Sequence, residues 1–168
     1  MRRGFARWGG AAATVIAVVV LDQCAKAAAT HVRSAEVIPA RNPGMITGWS
    51  PVSVSVLIVL SVAVLLGFIG IVGRWAVQID ISPIIPALVT GGLMAHTIDR
   101  IRFGAVRDFL ATGWLIIDVG DLAVVTGLLA LVVAFAWRVN DIRKSSQRIE
   151  LELPTLRAVV VDYQSTAA

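Results

Sequence analysis

This chain has 168 residues, of which 57% are hydrophobic and 15% are charged, and its mean hydropathy is +0.81. That composition places a single domain in a bilayer rather than in water. The net charge of +4 does not indicate nucleic-acid binding, because the basic residues collect at the ends of apolar runs and form no stripe interleaved with aromatic residues. A single cysteine, Cys24, excludes an intramolecular disulfide framework, and two histidines are too few for a Cys/His metal cage.

The first apolar run covers about residues 9–29 and follows a basic start with three arginines. The same pattern is typical of a cleavable secretory signal peptide. Asp22 and Lys26 argue against cleavage, because they are four residues apart on one helical face and can pair near the end of a span. Residues 21–24, LDQC, faintly match a lipid-attachment motif, but Asp22 and Gln23 stand where that motif needs small residues. We therefore predict a retained membrane helix.

The next segment, residues 30–51, contains three prolines and two glycines, which predicts a loop outside the membrane with a short β-hairpin through residues 36–38. Residues 52–72 then form the clearest span, since about 20 apolar residues cross a bilayer. A third span over about residues 84–98 is short for the hydrocarbon thickness. Its far end, with His96 and Asp99, is therefore expected to lie below the headgroups or to thin the bilayer locally.

Residues 99–120 form a mixed segment, in which residues 106–114 are expected to form a surface helix. The fourth span covers about residues 122–139, and residues 140–150 are expected to extend its helix before a loose end. The predicted fold is an all-α membrane protein. It has a domain of four transmembrane helices over residues 1–139, an extracytoplasmic loop region that includes a small β-hairpin, and a cytoplasmic tail over residues 140–168.

The distribution of basic residues predicts the orientation in the membrane. Four spans put both termini on one side, and that side carries nine basic residues against five on the other. Basic residues favour the cytoplasmic side, so both termini are expected there and the segment between the third and fourth spans faces outwards. The nine are Arg2, Arg3, Arg7, Arg74, Arg138, Arg143, Lys144, Arg148 and Arg157, and the five are Arg33, Arg41, Arg100, Arg102 and Arg107.

Carboxylates are concentrated in residues 91–121, which hold Asp99, Asp108, Asp118 and Asp121 among the chain's eleven acidic residues. Carboxylates at the mouth of membrane helices are costly to place and so indicate function. Two that converge can share one proton and activate water, as in aspartic proteases. Singly, Asp121 also fits a helix cap, and Asp108 fits a surface charge paired with a nearby arginine.

Five motifs in order resemble those of lipoprotein signal peptidase, also called signal peptidase II, over residues 15–137. Their order and spacing across the spans are more specific than any one of them. The motifs are Asp22 with Lys26, Arg41-Asn42-Pro43-Gly44, Gly91-Gly92 leading to Asp99-Arg100, Val106-Arg107-Asp108-Phe109, and Asp121 at the start of the last span.

The resemblance implies an inner-membrane aspartic endopeptidase that removes signal peptides from prolipoproteins before a diacylglyceryl-modified cysteine. It implies no metal and no organic cofactor, and as partners lipid-modified prolipoproteins and membrane lipid, with the enzyme acting as a monomer. By position, Asp108 and Asp121 match the catalytic aspartates. The positions that bind substrate or shape the site are Asp22, Lys26, Asn42, Gly44, His96, Asp99, Arg100 and Asp118, with Asp99 expected to pair near Arg100.

Three features depart from the family pattern and indicate a divergent member. The pattern Gly-Asn-x-x-Asp-Arg reads Ala95-His96-Thr97-Ile98-Asp99-Arg100 here, so that His96 is interpreted as a hydrogen-bonded replacement for an amide. The pattern Phe-Asn-x-Ala-Asp reads Ile117-Asp118-Val119-Gly120-Asp121, so that a third carboxylate is expected to raise the pKa of a catalytic neighbour. The segment between the catalytic aspartates is also shorter.

The alternative from another class is a non-catalytic membrane scaffold or assembly factor whose acidic outer loop binds a partner. A transporter is less favoured, since four spans make a small unit. The two main readings differ in one structural requirement, because a peptidase must bring Asp108 and Asp121 together beside a groove open to lipid and a scaffold need not.

The predicted orientation can be measured with topology reporters. Fusions after Trp75 and after Arg143 are expected to report a cytoplasmic location, and fusions near Ser34 and Gly113 an external one. Reversed signals would put the acidic segment on the cytoplasmic face and contradict the peptidase interpretation.

Overall fold

A computed structural model of the chain describes residues 2–32, 34–44 and 52–166, so part of the predicted outer loop lies outside the described residues. The structure is mostly helical, with a small sheet. Its elements in chain order are α1 (Arg2–Ala29), β1 (Val37–Asn42), α2 (Val54–Gly67), a π-helical turn (Phe68–Gly73), α3 (Arg74–Gln78), α4 (Ile84–Phe103), β2 (Val106–Ala111), β3 (Ile116–Ile117) and α5 (Val119–Thr166).

Three helical stretches in the described part of the chain are long and apolar enough to cross a membrane: Trp8–Ala29, Val54–Ala76 and Val119–Ile149. They confirm the spans predicted near residues 9–29, 52–72 and 122–139. The predicted third span forms as helix α4, but its last turns carry Asp99, Arg100 and Arg102, so it is less apolar than the others. A count of four spans therefore remains a prediction.

The chain divides into two compact units, Met1–Leu131 and Val132–Ala168. In the first unit, α1 and α2 both pack against α4. The second unit consists of α5 from Val132, with residues 139–149 exposed. Its helix continues to Thr166, so the expectation of a loose tail beyond residue 150 is wrong.

Glycines bring the helices of the first unit into close contact. A Cβ atom at Gly91 would lie 2.7 Å from Cβ of Val18 on α1, and one at Gly92 would lie 2.4 Å from the backbone oxygen of Gly120 on α5. Small residues at such points allow backbones to approach more closely than side chains would permit. The Gly91-Gly92 pair therefore sets how near α4 lies to both neighbours.

The sheet corrects two predictions. Residues 106–114 were expected to form a helix, but β2 pairs antiparallel with β1, with Asp108 opposite Ala40 and Val106 opposite Asn42. The hairpin predicted through residues 36–38 is wrong in its position, because Val37 and Ile38 begin β1, whose partner is β2, far along the chain. The hairpin of the loop region is formed by β2 and β3. Val106 and Asp108 are buried while Arg107 between them is not, a period of two that a strand requires and a helix does not.

Gly92→Ala tests the close approach of α4 and α5. Its methyl group would meet backbone rather than a flexible side chain, so we expect a destabilisation of about 1–3 kcal/mol, measured by thermal unfolding in detergent. Gly67→Ala is the matched control, because a Cβ there meets nothing within 4 Å. Equal unfolding temperatures for both variants would show that this contact does not fix the helix spacing.

Candidate active site

The ammonium group of Lys26 lies at the centre of the site and contacts three carboxylates. Its Nζ is 2.7 Å from Oδ2 of Asp22, 2.9 Å from Oδ2 of Asp99 and 2.5 Å from Oδ2 of Asp118. All four side chains are buried. Because the carboxylates come from α1, α4 and the residue before α5, this one cation connects three helices.

Asp99 is also bound by Arg107, which precedes Asp108 on β2. The Arg107 side chain donates to Asp99 Oδ1 at 2.8 Å, and its backbone N–H donates to Asp99 Oδ2 at 3.0 Å. Gln23 Nε2 donates to Asp99 Oδ1 at 3.0 Å, while its Oε1 accepts from Arg107 at 2.8 Å. Asp99 is therefore held by a network that spans α1, α4 and β2.

Arg100, near which Asp99 was expected to pair, has other partners. Its guanidinium donates to Ser61 Oγ on α2 and to the backbone oxygen of Gly44, each at 3.1 Å. Gly44 N–H in turn donates to Oδ1 of Asn42 at 3.1 Å. The correction has a simple cause, since successive residues on a helix do not face each other. Arg100 thus positions the end of the β1 segment.

Asp118 and Asp121 form a reciprocal cap at the start of α5. Asp118 Oδ1 accepts from the N–H of Asp121 at 2.7 Å, and Asp121 Oδ2 accepts from the N–H of Asp118 at 3.2 Å. The N–H of Gly120, also in the first turn of the helix, donates to Asp22 Oδ1 at 2.9 Å. The residue that caps the helix is therefore Asp118. The Asp121 side chain stays 38% exposed and accessible to a substrate.

Asp108 is buried on β2 and borders a cavity of about 190 Å³ that Lys26 and Arg107 also line. Burial and the negative charges of Asp118 and Asp121 together raise the pKa of Asp108 to about 6, although a hydrogen bond from Asn42 and the charge of His96 act to lower it. A larger cavity of about 640 Å³ lies between α1, the π-helical turn and α4. None of the site carboxylates lines it, whereas Asp108 lines the smaller cavity.

The pKa of Asp118 shifts in the opposite direction from that of Asp108. Burial alone would raise the pKa of Asp118, but the hydrogen bond and charge of His96, together with the charge of Lys26, lower it to about 2. Asp118 is thus ionised at neutral pH, whereas Asp108 is the carboxyl group best placed to hold a proton. Carboxylates whose environments separate their pKa values are typical of acid–base sites.

His96 lies between two carboxylates. Its Nε2 is 3.0 Å from Oδ1 of Asp118 and 3.6 Å from Oδ1 of Asp121. One nitrogen or oxygen atom from each of these three residues could bind a metal, and these atoms lie within 4.8 Å of one another, a spacing that could hold a divalent cation. Lys26 already contacts the second oxygen of Asp118 and would compete with such an ion, so we do not assign a metal to them.

The sequence prediction therefore left two residues of this network out of the site. Gln23 was weighed against a lipid-attachment motif, and Arg107 was considered in the motif around Asp108, as a possible partner of Asp108 and among the outer basic residues. Gln23 could have been included in the site because it is next to Asp22 on α1. Arg107 could have been included because it is next to Asp108. Neither could be paired with Asp99 without knowing that β2 returns to α4.

The fold and the site define a helical membrane protein with a carboxylate-rich site where its helices meet a small sheet. Residues 14–137 match the sequence model of the family described as signal peptidase (SPase) II. The chain belongs to the signal peptidase II family.

Individual relatives agree with this assignment. A lipoprotein signal peptidase of Pelotomaculum thermopropionicum is 34% identical over 155 residues, which covers 80% of this chain and 95% of that protein. One of Nitrobacter hamburgensis is 29% identical over 112 residues, covering 58% and 66%. A bacterial membrane enzyme solved by the in meso method has a similar fold, with a TM-score of 0.66 at 18% identity over 79% of this chain and 91% of that chain.

Lys26→Met tests the central ion pairs, because methionine keeps the length of the side chain and removes its charge. Three carboxylates would stay buried without that cation, and we expect a loss of about 3–5 kcal/mol in thermal unfolding at pH 7. The deficit should shrink below about pH 5, since the carboxylates then take up protons.

The matched control is Lys144→Met, at an exposed position of the second unit, which should unfold like the wild type. A Lys26→Met protein that is as stable as the wild type at pH 7 would contradict the central role of this cation.

Proposed function

We propose that this protein is an aspartic endopeptidase that removes signal peptides from lipid-modified prolipoproteins, with Asp108 and Asp121 as its catalytic pair. The observation that carries the proposal is the environment of Asp108, a buried carboxyl group with a pKa of about 6 in the field of Asp121. A pair of carboxylates needs one protonated and one ionised member, and this site favours that arrangement.

The site supports a distinct role for each aspartate. Asp121 takes a proton from water, and its Oδ2 is held at the start of α5 by a hydrogen bond from the N–H of Asp118. Asp108 donates its proton to the oxygen of the scissile carbonyl as the water oxygen bonds to the carbon. The gem-diol then collapses: Asp121 gives its proton to the leaving nitrogen as the C–N bond breaks, and a hydroxyl proton returns to Asp108.

The remaining site residues hold this pair in place. Lys26 fixes Asp22, Asp99 and Asp118, and Asp118 in turn caps the helix that carries Asp121. Pairing with β1 fixes β2 and hence Asp108. The proposed mechanism uses only the chain's own residues.

Exposed apolar residues near the site support contact with lipid. Trp114, in the turn between β2 and β3, is 95% exposed, and Leu115 beside it is also exposed. Aromatic residues of this kind favour the membrane–water interface. We place this turn in the outer leaflet, where it brings the catalytic pair to the level of a lipid-modified cysteine.

The same arrangement completes the proposed topology. Helix α4 serves as the third of four spans, short enough that Asp99 lies near the outer interface. Both termini are then cytoplasmic and the catalytic pair is extracytoplasmic, with the monomer as the active form. The scaffold alternative is not favoured, because the chain belongs to a peptidase family and a scaffold would not need a buried carboxyl group with a raised pKa.

The catalytic pair is tested by Asp108→Asn, Asp121→Asn and the double variant, assayed on a diacylated prolipoprotein. Asparagine nearly keeps the shape and removes proton transfer, so each single variant should lose roughly 10²–10⁴-fold in cleavage. The double variant should be about as inactive as either, because the two groups act as one unit. Asp141→Asn, at an exposed position, is the control.

Substrate binding should persist in both single variants. In the wild type, kcat/KM should fall as the pH rises through about 6, because Asp108 must hold its proton. Substantial cleavage by a well-folded Asp108→Asn or Asp121→Asn protein would refute the mechanism. A wild type that cleaves no lipidated precursor would favour the scaffold alternative.

A further inference from the structure

Three residues at the start of α5 and on α4 contact one another closely. His96 Nε2 is 3.0 Å from Asp118 Oδ1, and a Cβ atom at Gly120 would lie only 2.7 Å from His96 Nε2 and 3.2 Å from Asp118 Oδ1. The family sequence pattern has asparagine at the position of His96, asparagine at that of Asp118 and alanine at that of Gly120. The departures of this chain therefore meet at one point of the fold.

The steric relation between His96 and Gly120 is direct. The imidazole occupies the volume that a side chain at position 120 would need, and real Cβ contacts do not come closer than 3.0 Å. The backbone of Gly120 cannot easily retreat, because its N–H donates to Asp22 Oδ1 at 2.9 Å. A glycine at this position thus makes room for the larger ring of His96.

The charge relation links His96 to Asp118. Lys26 is already shared by three carboxylates, so the charge that Asp118 adds needs another partner. With a protonated imidazole, the His96–Asp118 pair has no net charge, as two amides would have none. The charged groups that interact with His96 are Asp118 and Asp121 at the start of α5, Lys26 from α1 and Asp108 from β2. The elements packed together here also carry Asp22 on α1, Asp99 and Arg100 on α4, and Arg107 on β2.

We propose that His96, Asp118 and Gly120 form one coupled unit that positions Asp121, with His96 as the positioning residue. The unit binds one oxygen of that carboxylate by a hydrogen bond and lies beside the other. The N–H of Asp118 holds Oδ2 at 3.2 Å, and His96 Nε2 lies 3.6 Å from Oδ1. The inference rests on the proposed function, because positioning Asp121 matters only if Asp121 reacts.

The electrostatic half is tested by His96→Asn, Asp118→Asn and the double variant, through the pH dependence of kcat/KM. His96→Asn leaves the added negative charge unbalanced, so the alkaline limb set by Asp108 should move up by about one pH unit. Asp118→Asn removes that negative charge and keeps the imidazole, so the limb should move down by a similar amount. The double variant should return near the wild-type profile. Asparagine at 118 can still cap α5.

The steric half is tested by Gly120→Ala in two backgrounds. In the wild type, Gly120→Ala should lower kcat/KM at least about tenfold and should lower the unfolding temperature. In the background that carries His96→Asn and Asp118→Asn, it should change kcat/KM by less than about threefold and the unfolding temperature by less than about one degree. Gly67→Ala, with open space around its Cβ, is the control and should have no effect in either background.

The outcomes separate this inference from the proposed function. Single variants that shift the limb in the same direction, or a Gly120→Ala protein that is equally affected in both backgrounds, would overturn the coupled unit. If the wild type cleaves no diacylated prolipoprotein, the proposed function fails. The unfolding temperatures of Gly120→Ala in the two backgrounds still decide whether the three residues are coupled.

Discussion

The contact of Lys26 with three carboxylates is the constraint on which the site depends. A charge buried without a partner costs several kcal/mol, so neither α1, α4 nor the start of α5 can slide along its neighbours without separating charges. The glycines of α4 serve the same end, because an ammonium group can reach three backbones only where those backbones lie close together. The close packing of these helices and the ion pairs of Lys26 therefore depend on each other.

The site divides its carboxylates into two groups by the partners they have. Asp22, Asp99 and Asp118 each contact a cation and are fixed by it. Asp108 lies on a strand and Asp121 one turn into a helix, and neither contacts Lys26 within ion-pair distance in the described structure. The first group therefore provides a rigid frame and a negative field around Asp108 and Asp121, which exchange protons in the proposed mechanism.

Much of this could be predicted from the sequence where the signal is local. Apolar runs located three spans, and the spacing of Asp22 and Lys26 on one helical face anticipated their ion pair. The strand at residues 106–111 could not be predicted in this way, because it is stabilised by pairing with a segment more than sixty residues earlier in the chain.

The same limit applies to the partners of Asp99. Arg100 is its neighbour in sequence, but helical geometry turns that side chain away, and Arg107 reaches Asp99 only because the chain reverses at Gly104, which adopts a φ of +70°. His96 and Asp118 were each recognised as unusual. Their contact, and the space that Gly120 leaves for it, depends on how α4 and α5 pack and is not encoded in any short pattern.

The π-helical turn at Phe68–Gly73 changes the phase of the second span. Leu57 and Ala76, both buried, are 19 positions apart (76 minus 57), which is about five and a quarter turns of a regular α-helix and would put them on different faces. A π turn takes up one extra residue, leaving an effective spacing of about five whole turns. The turn thus acts as a register correction, which puts Leu57 and Ala76 on the same face of the span.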